Sequence, residues 1–400
     1  MKNKAAIKKK STETKPRDTQ VFLAILGLVQ FAPAILLFLE LFPSLVQDHV
    51  KLFVVGVALV TIALYTFYAV LWKTLKLRDP LGLLFTGIVF TAYLDLFISL
   101  CLIFPTFVLG RFYLDKGEKY FTSSYGFCCL FWDATFQFTI QFILAFRVFT
   151  KREYHFTGLV WAGSIINSMA PLLLGAAIGP YSGEIQMATA LNTPYVFFPV
   201  GVAIYLLSTA SSTRSTEGPG TRVRSHNALV DIVLICYNFF VPMIHIVRAM
   251  CVLGSQSPVV RWWVKIEPLF DRTNLYDTDD QQDFAFMQVQ VLQWAFWFVP
   301  WHWAALYEQL ARIHTNKRTI VLGAHGADFA AIAFGGYLQS MACHFTSSYF
   351  DMEQGKIGLV VSTNKLPQEF WLVNIATLIG ALLHFTHFHI QDVEEAVKQD

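Results

Sequence analysis

Apolar stretches of about 18–25 residues recur roughly ten times along this 400-residue chain, and that recurrence decides its fold class. Each is long enough, as a helix, to cross about 30 Å of hydrocarbon. The expectation is therefore an all-α, polytopic membrane helical bundle with about ten transmembrane helices. The spans read as 21–41, 52–72, 81–103, 126–149, 157–178, 190–207, 229–251, 284–306, 319–343 and 367–390. Composition agrees, with 55% hydrophobic and only 14% charged residues and a mean hydropathy of +0.47. A net charge of +2 without a basic stripe argues against nucleic acid as a partner. The six cysteines sit mostly inside apolar runs and none has zinc or redox spacing, so they read as small buried residues.

The placement of Lys and Arg predicts orientation. Lys73, Lys76 and Arg78, then Arg147, Lys151 and Arg152, then Arg214, Arg222 and Arg224, and finally Arg312, Lys317 and Arg318 fall in alternate loops. They join the lysine-rich N-terminus on one side, taken as cytosolic, and an even span count returns the C-terminus there. Val21–Leu41 follows a basic tail and shows no small-residue cleavage site, so it reads as an uncleaved signal anchor. Composition then divides the chain into a basic tail (1–20), a helix pair (21–72), a first block (79–207), a Ser/Thr/Gly/Arg linker (208–228), a second block (229–390) and an acidic tail (391–400). The two blocks run in the same order: a helix, a long loop with an acid and an aromatic (Glu118 and Tyr120; Glu267 and Phe270), then three more helices. An internal duplication is a plausible account, and chance similarity between apolar helices is the competing one.

Two carboxylates stand in the middle of apolar runs, Asp95 and Asp133. A charge at the bilayer centre costs roughly 2.5–3.5 kcal/mol even on a lenient scale, so such acids point to a function. A carboxylic acid in an apolar pocket can stay neutral and donate its proton to an alkene or epoxide. A second carboxylate and aromatic faces can then stabilise the carbocation. Asp133, Gln137 and Gln141 are spaced i, i+4, i+8 and are expected on one helical face. Trp132 and Tyr195 are candidate aromatic walls, and Asn167 and Asn192 add polar groups. The bland alternative is that these groups only bond helices together, at about 0.6 kcal/mol each. The second block offers His245 or Arg248 and Gln288, Gln290 or Gln293 at comparable places, and reads as mainly structural, or as a regulatory or lipid-binding copy. His384, His387 and His389 read as interfacial rather than metal-binding. Neither GAHG (323–326) nor LGAAIGP (174–180) is a phosphate loop.

Residues 79–207 resemble the transmembrane 6 superfamily and, more broadly, the emopamil-binding or EXPERA fold. The resemblance is carried by RDPL (78–81), YLDLFI (93–98), GEKYF (117–121), YGFCCLFWDAT (125–135), GLVWAGSIINS (158–168), GPYSGEI (179–185) and NTPYVFFP (192–199). The second block matches more thinly, through IEPLFD (266–271), MQVQ (287–290) and LPQEFW (366–371). The resemblance implies a bundle pocket opening towards the membrane, usually of the endoplasmic reticulum. One branch isomerises a sterol double bond by protonation, another binds cationic amphiphiles and sterols, and some membrane-bound terpene cyclases look similar in layout. Two-block members are linked to lipid secretion and lipid-droplet balance. On this likeness Asp95 and Asp133 match the two pocket acids and Asn192 the asparagine before the last helix. Thr91 stands where the isomerase branch has histidine, Asp133 where it has glutamate, and Tyr195 where it has tryptophan.

The expected function is acid-catalysed cyclisation or isomerisation of an isoprenoid or sterol lipid. Asp133 and Asp95 would be catalytic, and Trp132, Gln137, Asn192, Tyr195 and Thr91 would bind substrate. No cofactor and no metal is called for, and the partners are the apolar ligand and membrane lipids. A homo-oligomer is left open. The competing expectation is a non-catalytic lipid-binding or lipid-homeostasis protein of the endoplasmic reticulum.

Overall fold

A computed structural model of the chain describes residues 15–104, 106–214, 228–273, 284–315, 322, 325–352, 359–361 and 366–399. Ten long helical rods make up the bundle, one for each apolar stretch in the sequence. They are α1 (Lys15–Val29 with Phe31–Leu41), α2 (His49–Tyr68 and a π turn Ala69–Thr74), α3 (Pro80–Ile103), α4 (Ser124–Trp132, a π turn Asp133–Gln137, and Phe138–Phe149), and α5 (His155–Ile178). There follow α6 (Thr193–Arg214), α7 (Ala228–Val252), α8 (Phe284–Gln293, a π turn Trp294–Phe298, and Val299–Thr315), α9 (Gly326–Tyr349) and α10 (Gln368–Gln399). One small antiparallel ladder, β1 (Phe350–Met352) with β2 (Leu359–Val361), is the exception among the described residues.

Eight of the rods are long and apolar enough to cross a membrane. The remaining two, α8 and α9, reach the same length but carry the polar interior of the second block. Gln290, His302, Glu308, Gln339, Ser340 and His344 on them are all buried. Phe296, Trp297 and Trp303 on α8 nonetheless face outward. The expectation of ten spans therefore holds for helices, and for membrane-grade apolarity in eight.

Local chemistry sets the helix starts. Asp79 caps α3 by accepting the Leu81 and Gly82 N–H groups at 3.1 and 3.5 Å, with Pro80 in the first turn where no N–H is needed. Ser123 caps α4 in the same way, accepting Gly126 N–H at 3.0 Å. Of the basic loop residues, Lys151 pairs with Asp79 and Arg152 with Asp18, each at 2.6 Å. Two boundaries differ from the sequence reading. The tail becomes helical from Lys15, and 208–214, read as linker, continues α6 because Ser208 and Thr209 bond back to the Tyr205 carbonyl at 2.9 and 3.0 Å. The rest of the linker (215–227) and the acidic positions Asp277, Asp279, Asp280 and Asp283 lie outside the described residues.

The two four-helix blocks repeat one plan. In each, the first helix is followed by a short helix (Arg111–Lys116; Pro258–Ile266), an acid (Glu118; Glu267) and a 3-10 turn, and the second helix contains a five-residue π turn. The third helices, α5 and α9, cross where small residues let backbones touch. A Cβ on Gly163 would fall on the Ile332 carbonyl, and one on Gly335 on the Val160 carbonyl. Below that crossing Asn167 donates to Gln339 at 2.6 Å, and Tyr125 stacks on Phe286 with ring centroids 5.3 Å apart.

Candidate functional site

The first block and the preceding helix pair together line a cavity of about 560 Å³, within the range of small-molecule sites. Its walls are apolar except for a small group of polar side chains. Thr91 and Asp95, one turn apart on α3, share a face and point into it. Asp133 on the α4 π turn, Tyr113 and Glu118 from the loop, and Asn192 and Tyr195 at the start of α6 complete the set. Three carboxylic acids thus line one cavity, and among the described residues no Lys, Arg or His lines it. The Oδ1 atom of Asp133 is buried and has no hydrogen-bond partner. Thr91 and Tyr195 are joined through their hydroxyls, which fixes the phenol across the cavity.

Glu118 is held by three donors. Tyr113 donates at 2.6 Å, Asn192 at 2.5 Å, and the Tyr120 hydroxyl also donates to it. Burial nevertheless pushes its carboxyl up to about 7, because three hydrogen bonds offset only part of the lost hydration. The same burial, with the carboxylate nearby, pushes the Tyr113 and Tyr120 phenols well above their ordinary value.

Of the residues singled out in the sequence, Thr91, Asp95, Asp133, Asn192 and Tyr195 meet at the cavity. Trp132 and Gln137 are not in its wall. Both donate to Ser164 Oγ of α5, at 3.0 and 2.6 Å, and Gln137 is fully buried. For Gln137 the π turn is the reason. Its wider winding breaks the i, i+4 register, so Asp133 and Gln137 no longer share a face. Gln141 bridges the Ile88 carbonyl (3.2 Å) and the Trp161 indole N–H (3.1 Å). Trp161 takes the aromatic place in the wall. Glu118 is not among the site residues expected from the sequence, although its match to Glu267 is a usable signal.

That counterpart is occupied differently. Arg248 of α7 forms a two-pronged ion pair with Glu267, at 2.9 and 2.5 Å, with every partner fully buried. Trp263 donates to the same carboxylate at 2.6 Å and Asn374 at 3.1 Å, while His344 lies at 3.3 Å. Burial alone would raise the Glu267 carboxyl, but Arg248 and His344 together hold it well below the usual range. Asn374 thus stands to Glu267 as Asn192 stands to Glu118, and a guanidinium fills the space between helices. Beside it Tyr337 bonds His302 (2.6 Å) and His245 (2.8 Å). Among the described residues no three His, Cys, Asp or Glu side chains converge as metal ligands.

Comparison with known proteins bears on this arrangement. The transmembrane domain of the transmembrane 6 superfamily member 2-like family matches residues 31–217, which include every cavity residue named above. Transmembrane 6 superfamily member 2 of Homo sapiens is 27% identical over 239 residues, covering 57% of this chain and 59% of that protein. The Mus musculus protein of the same name is 24% identical over 235 residues, with the same coverage. The matched part thus spans about three-fifths of the length of these relatives. No solved structure matches. Residues 31–217 are thus similar to the transmembrane domain of the transmembrane 6 superfamily member 2-like family, over a little less than half of the chain.

Proposed function

We propose that this protein admits an apolar isoprenoid or sterol lipid to the acid-lined cavity and rearranges it by proton transfer, as a cyclase or double-bond isomerase. Asp133 carries the reading: a carboxyl with one oxygen buried and unpartnered, on a π turn, facing a cavity without a cation. Its proton goes to an alkene carbon, or to an epoxide oxygen whose C–O bond then breaks. Asp95, facing the same space, stabilises the carbocation, and the Tyr195 ring and Trp161 present π faces to it. Loss of a C–H proton to the Asp133 carboxylate closes the cycle. The conversion is mass-neutral and needs no cofactor. Glu118 and Asn192 orient the loop and the start of α6 rather than reacting.

The setting proposed is the endoplasmic reticulum, on the family resemblance, with both termini cytosolic, on the alternation of Lys- and Arg-bearing loops in the sequence. The test is an untargeted lipid profile of cells expressing the protein or Asp133→Asn. Loss of a substrate with gain of an isomer only when Asp133 is intact supports catalysis. A second reading, lipid binding without turnover, is favoured by one observation. The counterpart acid Glu267 is wholly engaged in structural bonds, so this helical plan also serves as pure scaffold. Under that reading Asp133→Asn changes lipid retention and yields no product difference.

A further inference from the structure

The four helices of the first block do not close the cavity by themselves. One wall comes from the preceding rod, through Phe53, Gly56, Val57, Val60, Leu64 and Tyr68 of α2. Opposite stand Leu191, in the 3-10 turn Met187–Asn192 that leads into α6, and Pro194 and Phe198 of α6 itself. Val57, Leu64, Tyr68 and Phe198 line the cavity yet are 39, 40, 39 and 43% exposed, so they form its rim. All four lie within membrane-spanning segments, so the rim faces hydrocarbon. The helices flanking it are weakly supported, with 17% of the α2 window and 22% of the α6 window buried against 78% for α5.

Apolar contact alone seats α2 on its neighbours. Leu64 drops into the notch left by Gly87 of α3, where a Cβ would stand 2.8 Å from its Cδ2. Gly56 faces Leu191, whose Cδ1 would lie 3.9 Å from a Cβ there. Among the described residues no side-chain hydrogen bond or ion pair ties α2 to α3 or α6. In hydrocarbon such contacts are exchanged for lipid contacts at little cost, since no hydrophobic force holds helices together there. A helix keeps its own backbone bonds when it tilts, so its movement exposes no unpaired polar group.

We infer that α2 is the moving side wall of the cavity. A lipid enters from the bilayer between α2 and α6, and Gly56, Leu64 and Tyr68 set the width of chain or ring that passes. This rests on the reading of the cavity as a lipid site. The α2–α6 contact is the point to lock, in the full chain in membranes, with Gly56→Cys/Leu191→Cys joined by a short thiol-specific cross-linker that reductant removes. The probe is a photoreactive, clickable sterol added after cross-linking, with labelled peptides of α3 and α4 mapped by mass spectrometry. The expected result is loss of labelling around Asp95 and Asp133 in the cross-linked protein and its return on reduction, with reagent-treated wild type unaffected. Undiminished labelling of the cross-linked protein overturns the inference while leaving the lipid site standing. No labelling of those peptides in wild type removes the lipid site and the inference with it. Gly87→Ala, which pushes Leu64 out of its notch, gives a second readout without a cross-link. Labelling faster than in wild type is expected, and an unchanged rate counts against a moving α2.

Discussion

Replacing Arg248 by Met tests what the second block is for. The guanidinium is 0% exposed and gives Glu267 two charge-assisted bonds while donating to Asn374 at 2.7 Å. Met keeps most of the side-chain volume and removes the charge, leaving a buried carboxylate with Trp263, Asn374 and His344. Breaking a buried pair from one side costs about 3–5 kcal/mol, roughly a hundred- to several-thousand-fold in the folded ratio. Adding Glu267→Gln removes the stranded charge, and the double variant should recover most of that loss, because a buried pair replaced from both sides is often near neutral. The assay is thermal unfolding of detergent-solubilised protein followed by tryptophan fluorescence, with cellular abundance alongside. A single variant as stable as wild type, or a double variant no better than the single, would refute the argument that the ion pair is a structural filler.

Glu118 gives a pH prediction. With its folded pKa at about 7 against 4.5 for the free group, it favours the folded state fully below about pH 4.5. That contribution falls away as pH rises towards 7, by at most about 3 kcal/mol. Unfolding temperatures measured from pH 4.5 to 8 should therefore decline more in wild type than in Glu118→Gln; parallel profiles would contradict this. Gly163→Leu, which drives a side chain into the Ile332 carbonyl, should destabilise the inter-block crossing by about 1–3 kcal/mol or more, read as lower abundance and earlier unfolding. Tyr195→Phe releases Thr91 and should leave stability within about 1 kcal/mol of wild type while lowering any turnover, measurable once a substrate is identified.

How much of this was legible in the sequence depends on the range of the interaction concerned. Helix positions and the repeated block plan follow from apolar length and from the matching acids Glu118 and Glu267, which are local signals. Thr91 and Asp95 share a face because one helical turn separates them, and their meeting with Asp133, Asn192 and Tyr195 needs only that neighbouring helices pack. The place of Gln137 was not legible, because a π turn has no residue signature here and rotates everything downstream of Asp133. Arg248 gave no hint of its partner, since Glu267 is reached only after the chain turns at the end of α7. The wall formed by α2 was hidden for the opposite reason. It bears no polar residue towards the cavity that would set it apart from lipid-facing apolar side chains.

The central claim, that Asp133 delivers a proton to a lipid, is tested most directly by solvent isotope. Membranes containing the protein are supplied with a pool of isoprenoid and sterol lipids in D2O, and lipids are compared with those from Asp133→Asn membranes by mass spectrometry. The account predicts a rearranged product formed with Asp133 and absent with Asn, carrying a carbon-bound deuteron from solvent where an alkene is the group protonated. Well-folded wild-type protein that binds lipid from the pool yet leaves every lipid free of deuterium and unrearranged would contradict it, and would leave the cavity as a lipid-holding site.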